Sequence, residues 1–169
     1  MGYPAISGSA VPWSFTLVNP SPAPLKHRIR RVPLSKNEKV ELLKRTPVFA
    51  GCTKRELIEV ALVAAEREAS AGETLMEEGR PGREFFVLVD GSVVVGRNGR
   101  KVAVLGPGAW FGEIALLTFK PRTATVTATS PIRVLVVTDR SFRQIVETTP
   151  RIALRVLSSV AQRLERDSL

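Results

Sequence analysis

From Ser35 onward the apolar residues of the chain fall into short periodic groups. Val40 and Leu43 lie about one helical turn apart behind Ser35, a natural N-cap, and predict a short helix running to Leu43. Pro47-Val48-Phe49 reads as a tight turn. Thr53-Lys54-Arg55-Glu56 has the spacing of a capping box, in which the Thr and Glu side chains satisfy each other's backbone N–H groups. Leu57, Val60, Ala61 and Ala64 then form one helical stripe, and Cys52 reads as a small residue at the helix entry.

Between about Glu66 and Val137 the rhythm changes. Glycines from Gly72 to Gly112, Gly91 and Gly99 among them, separate short runs rich in Val, Leu and Phe, such as 84–90, 92–95 and 101–105; a further run spans 133–137. Many short strands at close turn spacing predict an antiparallel double-stranded β-helix, a jelly-roll-like β-roll. Asn98-Gly99 is a favoured hairpin turn. Two helices follow. Asp139 is placed to cap a segment through Glu147 with Phe142, Ile145 and Val146 inward. Pro150 suits the first turn of the last helix, which sets Ile152, Val156, Val160 and Leu164 on one face, with Ala153, Leu157 and Ala161 beside them. The expected architecture is mainly β with flanking helices: N-terminal helices, the roll, two C-terminal helices.

Residues 1–34 break this regularity and read as a proline-rich basic arm without regular structure, leaving 35–169 as the folded domain. Six of the 12 prolines lie at positions 4, 12, 20, 22, 24 and 33. Lys26, Arg28, Arg30 and Arg31, with no acidic residue among the first 33, supply +4 of the formal net charge of +9. Such an arm attracts anionic surfaces, but four charges without interleaved aromatics make no nucleic-acid site. Trp13, Phe15, Leu17 and Val18 offer an apolar patch for the domain or a protein partner. Lys36 and Lys39 read as solvated. The longest apolar runs are too short to cross a bilayer. The start lacks a signal-peptide layout, so a cytoplasmic location is expected. One cysteine, Cys52, and one histidine, His27, exclude an internal disulfide and leave no His/Cys cluster for a metal, and no metal is expected.

The candidate chemistry lies in Phe111-Gly112-Glu113-Ile114-Ala115-Leu116 and in Pro121-Arg122-Thr123-Ala124. A strand ends at Gly112 and a short helical turn starts near Glu113; such a start offers backbone N–H groups and partial positive charge to a phosphate. Gly112 lets the backbone approach a ligand. Arg122, expected at the start of the next strand, supplies a planar donor fork. Glu113 accepts hydrogen bonds and suits a sugar hydroxyl, while Ala115 and Ala124 leave space. Alternatively, Glu113 and Arg122 form a structural ion pair, which stabilises little once desolvated.

The run Phe111 to Ala128 resembles the phosphate-binding cassette of the cyclic nucleotide-binding domain family, in its Gly-Glu pair, its small residue at Ala115 and its Arg122-Thr123-Ala124 triplet. Leu75 to Gly82, Phe85 to Leu88 and Gly91 resemble the family's glycine-bounded hairpin, although Met76 stands where the family prefers a smaller aliphatic residue. The resemblance covers about residues 36–166. It implies a binding module for cAMP or cGMP, with no cofactor and no catalytic residue. Gly112, Glu113, Ile114, Ala115, Leu116, Arg122, Thr123 and Ala124 would form the site. Glu113 would take the ribose 2′-hydroxyl and Arg122 the cyclic phosphate, aided by backbone N–H groups near Ala115 and Thr123. Thr123 stands where a hydroxyl accompanies cGMP preference in some members and occurs in cAMP binders too. Leu157 or Arg163 of the last helix would cap the base.

Four other readings compete. A transcription regulator would need a helix-turn-helix, and the few residues after the last helix are not expected to form one. The regulatory domain of a larger channel or enzyme would look the same as this chain. A metal-dependent cupin enzyme would need histidines that the roll lacks. A scaffold that had lost its ligand would be expected to lack Glu113 or Arg122, and both are present. The short last helix favours a lid and a monomer over a coiled coil, while its apolar stripe from Ile152 to Leu164 could also serve a protein partner.

Overall fold

Two reciprocal caps start the folded part of the chain. In the computed structural model, which describes residues 32–167, α1 spans Lys36–Arg45 and α2 spans Lys54–Val63. At α1 the Glu38 N–H donates to Ser35 Oγ at 3.3 Å while the Ser35 N–H donates to Glu38 Oε2 at 2.7 Å. Thr53 and Glu56 repeat the exchange at α2, at 3.3 and 2.6 Å. The expected capping box is therefore present, and a second one stands at Ser35. Between the helices, Pro47–Phe49 form a single 3-10 turn that buries Val48 and Phe49. Lys39 departs from expectation: its Nζ donates to the Ala64 carbonyl at 2.8 Å and pairs with Glu66 at 3.6 Å, tying α1 to the end of α2. Lys39 lies one turn before the buried Leu43, so its long stem runs along the packed side of α1.

Eight strands follow: β1 Ala65–Ala69, β2 Thr74–Met76, β3 Glu84–Asp90, β4 Val93–Arg97, β5 Arg100–Leu105, β6 Trp110–Phe111, β7 Thr125–Ala128 and β8 Ile132–Thr138, with α3 (Glu113–Thr118) between β6 and β7. They pair antiparallel in two four-stranded sheets, β1-β8-β3-β6 and β2-β7-β4-β5, which is the expected β-roll. Asn98 (φ 51°) and Gly99 (φ 70°) join β4 to β5, the positive-φ pair that a two-residue hairpin needs.

Strands β3 and β8 explain the longest apolar runs. Phe85, Val87, Leu135 and Val137 face a core shared with the helices, whereas Phe86, Leu88, Val134 and Val136 face the core between the sheets. Both faces are buried, so the period-two alternation disappears into continuous hydrophobicity. Each of these large side chains contributes about 1.5–3 kcal/mol of burial.

Helix α4 (Asp139–Thr148) is capped by Thr138, whose Oγ1 accepts from the Ser141 N–H at 3.2 Å, and not by Asp139. The helix begins one residue earlier than expected, which places Asp139 in its first turn, where its charge complements the helix dipole. Helix α5 (Pro150–Asp167) buries Ile152 and Val156 against the helical core. The Arg155 guanidinium donates to the Ala50 carbonyl beside Gly51, fastening α5 to the 3-10 turn. Thr149 Oγ1 donates to Glu59 Oε2 at 2.9 Å from the preceding residue. None of the described helices is long and apolar enough to cross a membrane. Pro33 onward clusters as one compact unit. The arm expected over residues 1–34 lies outside the described residues, except for its last three.

Candidate functional site

A two-residue strand, β6, delivers the chain to Gly112, which caps α3 at φ 90°. A Cβ at this position would sit 2.7 Å from the Glu84 carbonyl oxygen and 2.8 Å from an Arg122 nitrogen. Glycine is thus required twice, for the left-handed backbone and for the close approach of Arg122. The first turn of α3, Glu113 to Ala115, then lines a cavity of about 720 Å³. Glu113 is only 3% exposed.

Arg122 reaches the same cavity from the other side. It lies in the loop ahead of β7, not at the strand's start, because its backbone bonds to a turn and not to a sheet neighbour: its N–H donates to the Arg80 carbonyl at 2.9 Å, and its carbonyl accepts from the Gly79 N–H at 2.8 Å. The side chain is 4% exposed. Its NH1 donates to the Gly112 carbonyl at 2.9 Å, and its guanidinium carbon stands 5.8 Å from the Phe86 ring centroid. Phe86 itself stacks on Phe111 with centroids 5.1 Å apart. Gly82 completes the seat, since a Cβ there would fall 1.8 Å from Arg122 Nε. Burial pulls the guanidinium below its usual basicity, and the nearby carboxylates of Glu84 and Glu113 act in the opposite direction. A guanidinium stays charged under either influence. A buried cation is costly, and an anion brought into the cavity offsets that cost.

One wall of the cavity is therefore polar, with Gly112, Glu113, Arg122 and Thr123. The rest of the lining is mostly apolar, with Met76, Val95, Ala103 and Leu105 beside the charged Arg97, and α5 adds Val160. This division suits a ligand with an anionic sugar end and a flat apolar end.

Of the eight residues expected from sequence, Gly112, Glu113, Ile114, Ala115, Arg122, Thr123 and Ala124 line this cavity. Leu116 does not. One residue beyond Ala115 the helix has turned it away, and it is buried in the core under α3. Thr123 is exposed at the rim, where its carbonyl accepts from Arg97 Nε at 3.2 Å. Leu157 is 50% exposed and stands outside the cavity lining, where Val160 is found; the Arg163 side chain lies outside the described residues. Sequence reasoning missed Gly82, Phe86, Arg97 and Val160 as site residues. Val160 stood on the inward stripe of the last helix, and Gly82 and Phe86 lay in the glycine-bounded stretch noted above, where no site role was assigned to them.

The family model described as the cyclic nucleotide-binding domain matches residues 66–149. A cyclic nucleotide-gated potassium channel of Mesorhizobium japonicum is 34% identical over 113 residues, covering 67% of this chain and 31% of the channel. The crystal structure of the N-terminal domain of a transcriptional regulator from Streptomyces coelicolor A3(2) aligns with a TM-score of 0.64 at 32% identity, covering 75% of this chain and 92% of that one. The regulatory domain of Toxoplasma gondii PKA, crystallised with cAMP, aligns with a TM-score of 0.66 at 25% identity, covering 76% of this chain and 50% of that one. Among curated relatives the chain spans from 21% to 58% of their length.

Proposed function

The chain belongs to the cyclic nucleotide-binding domain family, and we propose that it is a receptor for cAMP or cGMP that carries out no catalytic step. The observation that supports this most is the seating of Arg122. Its buried guanidinium is held between Gly82, Phe86 and the Gly112 carbonyl, so a fixed cation and the first turn of α3 face one cavity. In this reading Arg122 binds the cyclic phosphate by charge-assisted hydrogen bonds, together with backbone N–H groups near Ala115 and Thr123. Glu113 takes the ribose 2′-hydroxyl. The small side chains of Ala115 and Ala124 leave room for the ring, and the apolar part of the lining receives the base.

Val160 supports a switch. It lines the cavity from α5, whose start is fastened to the helical core by Ile152, Val156 and Arg155. A base that contacts Val160 stabilises one position of α5 over others, and this differential contact is what converts binding into a signal. A second reading, in which the domain regulates a channel or transcription regulator, is favoured by relatives of those kinds that carry the matching region within longer chains.

The test is a thermal melt of the full chain with cAMP, cGMP, linear 5′-AMP or adenosine. Ligand at about 100 times its Kd adds roughly 2.7 kcal/mol. A raised midpoint with a cyclic nucleotide and none with adenosine is expected; equal midpoints with all four would remove the receptor reading.

A further inference from the structure

Away from the cavity, α3 ends in a conformation that its residue does not favour. Phe119 is the C-cap at φ 56° and ψ 17°, a left-handed position at which glycine meets no steric penalty. Its ring is 74% exposed, so the fold gains little burial in return. Arg143 of α4 stands over this ring, 5.1 Å from guanidinium carbon to centroid. A strained backbone that carries an exposed aromatic points to use by another molecule.

Around the pair runs a groove with two adjoining halves of about 220 and 430 Å³ that share Arg83, Asp139 and Arg143. Lys120 lines one half and Arg140 the other. Asp139 lies 3.7 Å from Arg83 and 3.5 Å from Arg143 and holds both cations in place. The four cations outnumber the groove's two carboxylates, Asp139 and Glu147, so its field is positive.

We propose that this groove docks an acidic segment of a partner protein. Phe119 would supply the apolar contact, and Lys120, Arg140 and Arg143 would bind the segment's carboxylates. Aromatic and arginine side chains are the types that most often anchor protein interfaces. An anionic bilayer fits less well: the surface offers a single ring for insertion, and Asp139, which lines both halves, repels lipid phosphates. The proposal does not depend on the nucleotide reading, and its test uses no nucleotide.

The experiment selects from a random dodecapeptide display library on the full chain, then titrates the enriched peptides by fluorescence anisotropy. Vesicles of phosphatidylserine and phosphatidylcholine form a parallel arm. Peptides combining acidic with apolar residues are expected. They should lose at least tenfold in affinity for Phe119→Gly, lose binding to the Arg140→Glu/Arg143→Glu double variant, and weaken as salt rises. Phe119→Gly should melt no lower than the parent, because glycine relaxes the turn, so its loss of binding cannot come from unfolding. Enrichment without acidic character, equal binding to Phe119→Gly, or binding to the vesicles with no acidic peptide selected would overturn the proposal.

Discussion

The Arg122 guanidinium donates to the Gly112 carbonyl at 2.9 Å, and this one bond joins the two arms of the cassette. Gly112 ends β6 and starts α3, while Arg122 precedes β7. Arg122 can occupy its seat only because position 112 is a glycine, since a side chain there would displace the guanidinium. In the proposed account, the phosphate of the nucleotide binds where these arms meet.

Gly112→Ala therefore carries two penalties, a left-handed backbone and a Cβ 2.7 Å from the Glu84 carbonyl oxygen. Together these should cost about 2–3 kcal/mol. A denaturant titration should show a lower midpoint, by an amount that multiplied by the unchanged slope gives this cost.

Gly82→Ala separates fold from site. Its backbone does not need glycine, but the added Cβ would fall 1.8 Å from Arg122 Nε and drive the side chain from its seat. Cyclic nucleotide affinity should drop at least tenfold while far-ultraviolet circular dichroism stays unchanged. Undiminished affinity would show that the seat is not needed.

Phe86→Leu tests the platform. The ring is fully buried, stacked on Phe111 and placed under Arg122. Loss of the aromatic contacts should cost about 1–2 kcal/mol by thermal melting. Affinity should fall several-fold as the guanidinium loosens.

The caps predict acid sensitivity. Hydrogen bonds from Ser35, its side chain first and then its backbone, hold the Glu38 carboxyl below the ordinary value of 4.5, and the Thr53 backbone N–H does most of the same for Glu56. Bonds from Arg67 and then Ser70 lower Glu73 likewise. A carboxyl with a depressed folded pKa contributes stability above its unfolded value, and this is lost as pH falls through the folded one. Denaturant midpoints should therefore decline below about pH 4.5. In a Glu38→Gln/Glu56→Gln variant the decline should be shallower, because glutamine keeps the capping acceptor and does not titrate.

The local parts of this fold were legible from sequence because their causes are local. Thr53 and Glu56 sit one turn apart, Asn98-Gly99 carries its own turn geometry, and the Gly112-Glu113 and Arg122-Thr123-Ala124 runs are contiguous. Thr138 was missed because Asp139, the better capping residue by type, lies next to it. Leu116 was assigned to the site because a contiguous motif conceals the rotation of the helix it occupies. Gly82, Phe86 and Arg97 meet the cassette only through tertiary pairing, and nothing near them in sequence records that contact. Lys39 looked solvated because its partners, Ala64 and Glu66, become neighbours only when α1 packs on α2.

The central claim is tested most directly by calorimetric titration of the full chain with cAMP and, separately, with cGMP, alongside Arg122→Ala. The account predicts saturable binding of at least one of the two nucleotides, weakened by a factor of ten or more in the variant. Chain that is folded and free of carried-over nucleotide, yet gives no heat with either ligand or binds equally well without Arg122, would contradict it.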